Sequence, residues 1–500
     1  MHKRLPIALR MLNIRTGHFR YIYFWTFLMG IAFLAISLYH REPNEDESVI
    51  AGHSYFLGQA GYVKSDLYGG YLEGEHAWEV RQYAYHKLFV LAGTLFIKVF
   101  GFNVYSLKSV SLLSMLLFLY VLFRYLKTNH PSFSLPFYWL TCTLFLIHHA
   151  FHFYAFTFRP EMMVMTLGFI SFYFLVSGIN HKIRFQILLA GMFSGLAAFA
   201  HLNGLIYSFA GLLLLIANRQ YKNGILFCIS AGLFTLLYFF DIHHLSELQG
   251  LLYQFKTDPN VVSKVPLYMG ILNEQIRFFH SPKEIVFSLS FIFSLLVNFK
   301  ALKAQQLHVL LYLMFLVLGL SMLSHGQTVK YALNYLPYMG LVIVSSLTTL
   351  KEKPLSIKMS GGILLIAFLT VHVYHNLKTI NSAIAIEAHN AQIASFIPEQ
   401  NVKISAPSVF AFNEIENYTI RGEIAWYHHY LVYHPNETRT LENYFRFARE
   451  NKDQYIIIDK DAHPRSTLTQ IFENEWMPGD QVFGCTIIKR TPSFVILKIN

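Results

Sequence analysis

The hydrophobic and polar positions of this chain fall into long separate blocks. Three stretches, Ser134–Phe158, Phe185–Asn218 and Met359–Leu377, contain no Asp, Glu, Lys or Arg. A helix that crosses the hydrocarbon core of a bilayer needs roughly 20 apolar residues, whereas a helix on a soluble core is apolar along one stripe only. The blocks therefore predict membrane-spanning helices.

About 11 spans are predicted in total, with Phe185–Asn218 divided at its HLNG turn. They are 21–39, 106–125, 135–153, 161–179, 185–200, 203–218, 223–240, 284–299, 306–323, 331–350 and 358–375. A further apolar segment, 88–103, is short and contains Lys98. We expect it to lie in the membrane interface instead of crossing the bilayer.

Composition excludes other classes of protein. With 54% hydrophobic and 14% charged residues, the chain is neither soluble, disordered nor fibrous. Its net charge of +11 comes from basic residues clustered between apolar blocks, as in the cytoplasmic loops of polytopic membrane proteins. No nucleic-acid partner is expected, and three cysteines do not make a disulfide framework.

The basic clusters also predict the orientation. The amino-terminal apolar segment lacks a cleavage site for a signal peptide, so we expect it to be a retained helix with its amino terminus in the cytoplasm. Every loop then assigned to the cytoplasm is basic: Arg124 and Lys127; Lys182 and Arg184; Arg219 and Lys222; Lys300 and Lys303; and Lys351, Lys353 and Lys358. The loops 40–105 and 241–282 and the carboxy terminus are placed on the far side.

The tail, 376–500, differs in composition from the membrane domain, 1–375. After an amphipathic stretch it contains the strand-like segments NVKISAPS, QYIIIDKD and CTIIKRTPSFVILKIN, the last resembling a hairpin that turns at Thr491–Ser493. We predict a polytopic α-helical membrane protein with a small extracytoplasmic α/β domain at its carboxy terminus.

Acidic residues are scarce, and three lie where the predicted topology places them on the outer face. Asp46 and Glu47 follow the first span, and Glu161 begins the fourth. Crowded carboxylates raise one another's pKa, which suits a general base or a metal ligand. The plainer interpretation is that the first two are solvated and that Glu161, after Pro160, complements a helix dipole.

Four segments resemble a known group of enzymes in the same order along 20–350. They are EDESVIAGHSYFLGQAGY, YHKLFVLAGTLFIKVFGFNVYSLKSVSLL, FRPEMM and KYALNYLPYMGLVI. The group is the GT-C type integral-membrane glycosyltransferases that use polyprenyl-phosphate sugars, such as protein mannosyltransferases and aminoarabinose transferases of lipid A. Two departures are Glu161, where the family has Asp, and His86-Lys87-Leu88, where it has His-Pro-Pro.

The resemblance implies an activity. A sugar would move from a polyprenyl-phosphate donor to a hydroxyl of an envelope lipid, glycan or protein, by an inverting displacement on the outer face of the inner (plasma) membrane. Asp46 would be the base, with Glu47 and Glu161 orienting it or binding a divalent metal cation with it. The implied substrate contacts are His86, Lys87, Arg159, His201, Asn203, Lys330 and Tyr331.

Plainer interpretations remain for several of these residues. Lys330 and Tyr331 are also what an interfacial anchor and an aromatic belt would contain, and Asn203 is a natural helix cap. His148 and His152, four residues apart before Glu161, could contribute to a metal site or simply pack in the helix bundle.

Two other classes of function predict different features of the sequence. A transporter or flippase for a lipid-linked saccharide should place ionisable residues at the midplane of its spans and show internal repeats. The spans after residue 130 are nearly free of charge, which favours chemistry at the membrane surface. A membrane scaffold without catalysis would leave the outer carboxylates unexplained.

Overall fold

The computed structural model describes residues 7–39, 43–72, 74–129, 133–257, 266–323, 329–381, 385–463 and 466–500. Its helices in the membrane domain are α1 Ile7–Tyr39, α2 Glu45–Ala60, α3 Lys87–Phe100, α4 Val104–Asn129, α5 Leu135–Ile147, α6 His149–Tyr154, α7 Glu161–His181, α8 Arg184–Ala200, α9 Leu205–Ala217, α10 Tyr221–Leu236, α11 Leu245–Thr257, α12 Leu267–Asn273, α13 Gln275–Phe279, α14 Pro282–Leu323, α15 Leu336–Thr349 and α16 Leu355–Asn381.

Within those residues, six helices contain segments long and apolar enough to cross a membrane: α1, α4, α7, α10, α14 and α16. Four shorter apolar helices are α5, α8, α9 and α15. Helix α14 covers two of the predicted spans and leaves helical geometry at Asn298, near the end of the first, and at Gln306, where the second begins. The chain therefore has the several apolar helices of a multi-pass membrane protein, while the number of spans and their orientation stay predictions.

Breaks in the helices occur where the sequence supplies a reason. Helices α8 and α9 are separated at His201, whose extended backbone ends the first helix at the predicted HLNG turn. The predicted span 135–153 is interrupted at His148, which leaves helical geometry between α5 and α6. The segment predicted as 331–350 starts as a 3-10 turn, Val329–Asn334, and becomes α15 only near Pro337.

Helix α3 is the apolar segment predicted to lie in the interface. It buries Phe89 and Val90 and leaves Leu95, Val99 and Phe100 exposed. An apolar exposed face on a helix of only 14 residues is what an interfacial helix presents to lipid.

The tail contains helices α17 Ile386–Ala394, α18 Ala411–Glu414, α19 Glu423–Tyr433 and α20 Leu441–Glu450. Its strands are β1 Lys403–Ala406, β2 Thr419–Gly422, β3 Tyr455–Asp459, β4 Gln481–Val482, β5 Cys485–Arg490 and β6 Phe494–Ile499. They form one six-stranded sheet in the order β2-β1-β3-β6-β5-β4, parallel on the β1 side and antiparallel from β3 onward. The small carboxy-terminal α/β domain is confirmed.

The three predicted strand segments and the hairpin are confirmed by β1, β3 and the antiparallel pair β5–β6. Two strands were not predicted. The β2 segment, TIRG, is short and ends in Arg and Gly, so its strand geometry depends on pairing with β1. Strand β4 has two residues, too few for a period to be visible.

The tail packs against the loop 40–105. Tyr71 and Trp78 of that loop lie in one apolar cluster with Ile404 and Ile420 of the tail sheet. Arg421 adds a hydrogen bond from its Nε to the carbonyl oxygen of Gly69, at 2.7 Å. The loop 40–105 is thus held against the tail by a shared core, and this packing fixes the position of α2.

Candidate functional site

The first turn of α2 is held in place by a capping box. Asn44 Oδ1 accepts from the backbone N–H of Glu47 at 3.0 Å, and Glu47 Oε1 accepts from the backbone N–H of Asn44 at 3.1 Å. This reciprocal pair satisfies two of the free donors at the helix start. Asp46, which directly precedes Glu47, keeps 51% of its side chain exposed.

Arg159 joins Asp46 to Glu161. Its Nη2 lies 2.8 Å from Glu161 Oε1 and its Nε 3.2 Å from both carboxylate oxygens, while Nη1 pairs with Asp46 Oδ2. A second cation, Lys330 Nζ, lies 3.7 Å from Asp46 Oδ2. We call these four residues the ion cluster, in which two acids are balanced by two cations and Asp46 is the most exposed member.

Glu47 is engaged elsewhere. Its Oε2 accepts from the backbone N–H of Phe158 at 2.6 Å and lies 3.8 Å from Lys108 Nζ, and both charged side chains are almost fully buried. Glu47 therefore ties α2 to the turn that carries Arg159, which positions the ion cluster. Lys108 was not predicted, although a lysine inside an otherwise apolar span is the signal that could have revealed it.

The predicted divalent cation has no ligand set in this arrangement. Among the described residues, no three His, Cys, Asp or Glu side chains are placed to hold a metal ion. Arg159 occupies the position between Asp46 and Glu161, and Glu47 is turned to Phe158. The residues as placed do not fit a metal, so the cation stays an untested prediction.

His148 and His152 do not converge with Glu161 either. The His148 ring packs on Phe287 and His372, with centroids 4.5 Å away in both cases. The His152 ring stacks on Phe33, and its Nδ1 lies 3.1 Å from the carbonyl oxygen of Leu146. Both rings are therefore packed in the helix bundle.

Two predicted histidines lie together beside the cluster. The rings of His86 and His201 stack with centroids 4.5 Å apart, and Tyr331 Oη lies 3.2 Å from His201 Nε2. Burial, with smaller effects of neighbouring charges, lowers the pKa of His86 to about 3 and that of His201 to about 4. Both rings are neutral near pH 7, so they offer hydrogen bonds and not charge. Asn203 donates its backbone N–H to His201 Nδ1 at 3.0 Å.

Lys330 connects the ion cluster to a cavity. Burial, and to a smaller extent Arg159, lowers the pKa of Lys330 to about 8, while Glu161 opposes the shift. Its side chain also lines a cavity of about 240 Å³, together with Tyr154, Arg277, Lys283 and Phe287. We call this space the Lys330 cavity; its lining combines aromatic and aliphatic side chains with three cations and one acid, Glu284.

Lys87 has a different environment. It is fully buried, forms an ion pair with Asp241, and lies over the rings of Tyr85 and Tyr238, 5.1 and 4.7 Å from their centroids. Tyr85 Oη also donates to Asp241 Oδ2 at 2.8 Å. These contacts join the loop 40–105 to the loop 241–282, and the substrate contact implied for Lys87 stays a prediction.

No protein-family profile and no curated protein matches this sequence. Among solved structures, ArnT from Cupriavidus metallidurans in the apo state matches over 95% of this chain and 97% of its own, with a TM-score of 0.61 and 11% sequence identity. The chain has the ArnT fold. The structure of ArnT bound to undecaprenyl phosphate matches over the same shares at a TM-score of 0.57 and 11% identity.

A looser match, at a TM-score of 0.44 and 9% identity, is the archaeal oligosaccharyltransferase AglB from Archaeoglobus fulgidus, over 87% of this chain and 69% of that one. It adds nothing to the assignment of the ArnT fold. ArnT is an aminoarabinose transferase of the GT-C type, so the resemblance predicted from the sequence is confirmed at the level of the fold. At 11% identity the match establishes the fold alone.

Proposed function

We propose that this protein is a glycosyltransferase that moves a sugar from a polyprenyl-phosphate donor to a hydroxyl group of an acceptor, on the extracytoplasmic face of the plasma membrane. The observation that carries the proposal is the half-exposed carboxylate of Asp46, which is paired with Arg159 and Lys330. Lys330 also lines a cavity among apolar helices. The ArnT fold supports the proposal, since ArnT has been solved with undecaprenyl phosphate bound.

In this proposal Lys330 and Arg159 receive the phosphate. The cavity offers apolar walls for the first part of an isoprenoid and cations for its phosphate. Charge-assisted hydrogen bonds to phosphate are about twice as strong as neutral ones. Donor binding is thus expected to depend on the charge of Lys330.

Asp46 acts as the general base. It takes the proton of the acceptor hydroxyl as that oxygen forms a bond to the anomeric carbon of the sugar. The bond from this carbon to the phosphate oxygen breaks, and the polyprenyl phosphate leaves with the electron pair. One displacement inverts the anomeric carbon without a covalent glycosyl-enzyme.

The charge balance of the ion cluster suits this step. A phosphodiester donor carries one negative charge, and the phosphate that leaves carries up to two. Protonation of Asp46 converts the balanced cluster into one with an excess cation at the moment when the phosphate gains charge. Positive charge that develops next to the leaving group stabilises the transition state.

The tests compare envelope glycolipids by mass spectrometry in a deletion strain complemented with the wild type, Asp46→Asn or Asp66→Asn. Asp66 is a matched control because it lies in the same loop and pairs with Lys64 at 2.8 Å, outside the ion cluster. We expect a sugar-bearing glycolipid to be lost with Asp46→Asn and restored by the other two. Equal restoration by both aspartate variants would contradict the assignment of the base.

A flippase for a lipid-linked saccharide remains the rival function. It would move the donor across the membrane without breaking the bond to phosphate. Accumulation of an intact donor on the cytoplasmic side of deletion membranes, with transfer still measurable in permeabilised cells, would favour that function over the proposed transfer.

A further inference from the structure

A second, larger space lies between the start of α2 and the tail domain. It has a volume of about 600 Å³, in the range of sites for small ligands. We call it the tail cleft; its walls include Glu45, Glu423, Trp426, Tyr427, His428 and Arg439.

Several polar atoms of these walls have no hydrogen-bond partner in the described part of the chain. They are Glu423 Oε1, Trp426 Nε1, His428 Nδ1 and Arg439 Nη1. Glu423 and Trp426 are only 5% and 3% exposed. A buried polar group without a partner costs about 1–3 kcal/mol, and one such group is uncommon in a native structure. Four on the walls of one cleft indicate a space shaped for a polar ligand.

The chemistry of the walls narrows the class of that ligand. Tyr427 supplies a flat ring that is 42% exposed, and Arg439 is held over this ring with its guanidinium 4.1 Å from the centroid. Rings suit the C–H faces of a sugar, while a free carboxylate oxygen and free N–H groups suit its hydroxyls. The lining carries more acids than cations, which disfavours a phosphate and distinguishes this cleft from the Lys330 cavity.

The cleft reaches the ion cluster through Glu45. Glu45 Oε1 lies 3.1 Å from His463 Nδ1, and the same nitrogen lies 2.9 Å from Glu423 Oε2. Glu45 directly precedes Asp46 in the first turn of α2. A residue of the cleft wall is therefore adjacent in sequence to the proposed base. On the other side, Lys330, which lines the Lys330 cavity, lies beside the carboxylate of the same Asp46.

From this arrangement we infer that the tail cleft binds the acceptor and that the bound part is a carbohydrate, presented with a hydroxyl toward Asp46. The identification of this carbohydrate as the acceptor rests on the proposed function. Binding of a carbohydrate in the cleft does not need the donor and can be measured by itself.

The test uses the full-length protein in detergent and saturation-transfer NMR. The probes are methyl glycosides of glucose, galactose, mannose and glucosamine, with a Ser/Thr-containing peptide as the competing class. The variants are Trp426→Phe, which keeps a ring but removes the N–H, and Arg439→Gln. Matched controls in the same domain are Trp476→Phe and Arg449→Gln; neither residue lines the cleft, and Arg449 bonds the carbonyl oxygen of Phe483, away from it.

We expect at least one glycoside to bind saturably, with affinity lowered about tenfold in either cleft variant, as for the loss of one good hydrogen bond. Both controls should bind as the wild type does. Absence of binding by every glycoside, binding that survives both cleft variants, or binding of the peptide alone would overturn the inference.

Undecaprenyl phosphate is titrated into the same samples to separate the two proposals. Its failure to bind the wild type would count against the proposed function and leave the glycoside result standing. Once the substrates are known, Arg439→Gln should raise the KM for the acceptor and leave the KM for the donor unchanged. A raised KM for the donor with an unchanged KM for the acceptor would assign the cleft to the donor and overturn the inference.

Discussion

Two ion-paired groups join loops between the apolar helices of this protein, and they differ in how far their charged groups are buried and paired. Lys87 and Asp241 form one pair, with Lys87 fully buried under aromatic rings. The ion cluster around Arg159 instead contains a half-exposed acid and a second cation, Lys330, that faces a cavity.

Exposure and a shared cation distinguish a reactive ion-paired group from a purely structural one, although both consist of the same residue types. The Lys87–Asp241 pair has its charges matched, and both carboxylate oxygens of Asp241 are engaged, one by Lys87 and the other by Tyr85, so a substrate would have to break these contacts. Asp46 has room for an acceptor hydroxyl, and Arg159 divides its charge between two acids. The predictions below follow from this contrast.

The largest effect is expected at Asp46. Asp46→Asn removes the base but preserves the size of the side chain. General-base catalysis contributes about 10²–10⁴-fold, so the rate of sugar transfer should fall by about 10³-fold. Transfer is measured with purified protein and the donor identified from the envelope lipids. An unchanged rate would show that the exposed carboxylate is not the base.

The contrast requires the opposite result at Lys87. Lys87→Met leaves Asp241 without its cation in a largely buried position, and breaking such a pair costs about 3–5 kcal/mol. We expect a clear loss of thermal stability in detergent. The loss should lie toward the lower end of that free-energy range, because Asp241 is partly exposed. The rate per folded molecule should change little.

The double variant Lys87→Met with Asp241→Asn is the control for that experiment. It removes the unpaired charge, so it should recover most of the lost stability. A double variant that is stable but inactive would show that Lys87 contacts the substrate, as the family resemblance implies. The Lys87–Asp241 pair would then not be purely structural.

Lys330 should show an intermediate effect that depends on pH. Its pKa is lowered to about 8, chiefly by burial, so its charge is present below that pH and is lost as the pH rises through about 8. Binding of undecaprenyl phosphate should fall over the same interval. Lys330→Gln should weaken binding about 10-fold to 100-fold at pH 7, the usual range for one charged hydrogen bond.

Lys330→Arg supplies the matched variant. A guanidinium remains charged throughout the accessible pH range, so the decline above pH 8 should disappear. A decline that persists in this variant would assign the titration to another group.

The sequence predicted the membrane helices, the tail domain and the family resemblance because each depends on local pattern. Charge-free blocks reveal spans, and β5 with β6 are strongly apolar around a turn. The same pattern predicts that Asp46 lies on the outer side of the first span, and this placement stays a prediction.

Contacts between residues that lie far apart in the sequence could not be predicted from local pattern. Spacing grouped Glu47 with Asp46, but helix geometry turns their side chains apart, and Glu47 binds Phe158 and Lys108. Lys87 meets Asp241 across more than 150 residues. The tail cleft exists only because the first loop shares a core with the tail sheet, which no local signal contains.

The smallest effect is expected at His86, which tests whether the rings beside the cluster act through charge or through packing. Its pKa is lowered to about 3 and that of its partner His201 to about 4, so neither ring changes charge between pH 5 and 7. His86→Phe keeps a flat ring on His201 and should lower transfer by less than about tenfold, the loss of one neutral hydrogen bond. The profile of rate against pH in that interval should match that of the wild type. A change in rate near pH 6 that the wild type shows and His86→Phe lacks would indicate that the His86 ring carries a proton in the reaction. The histidines beside the ion cluster would then act through charge and not through packing alone.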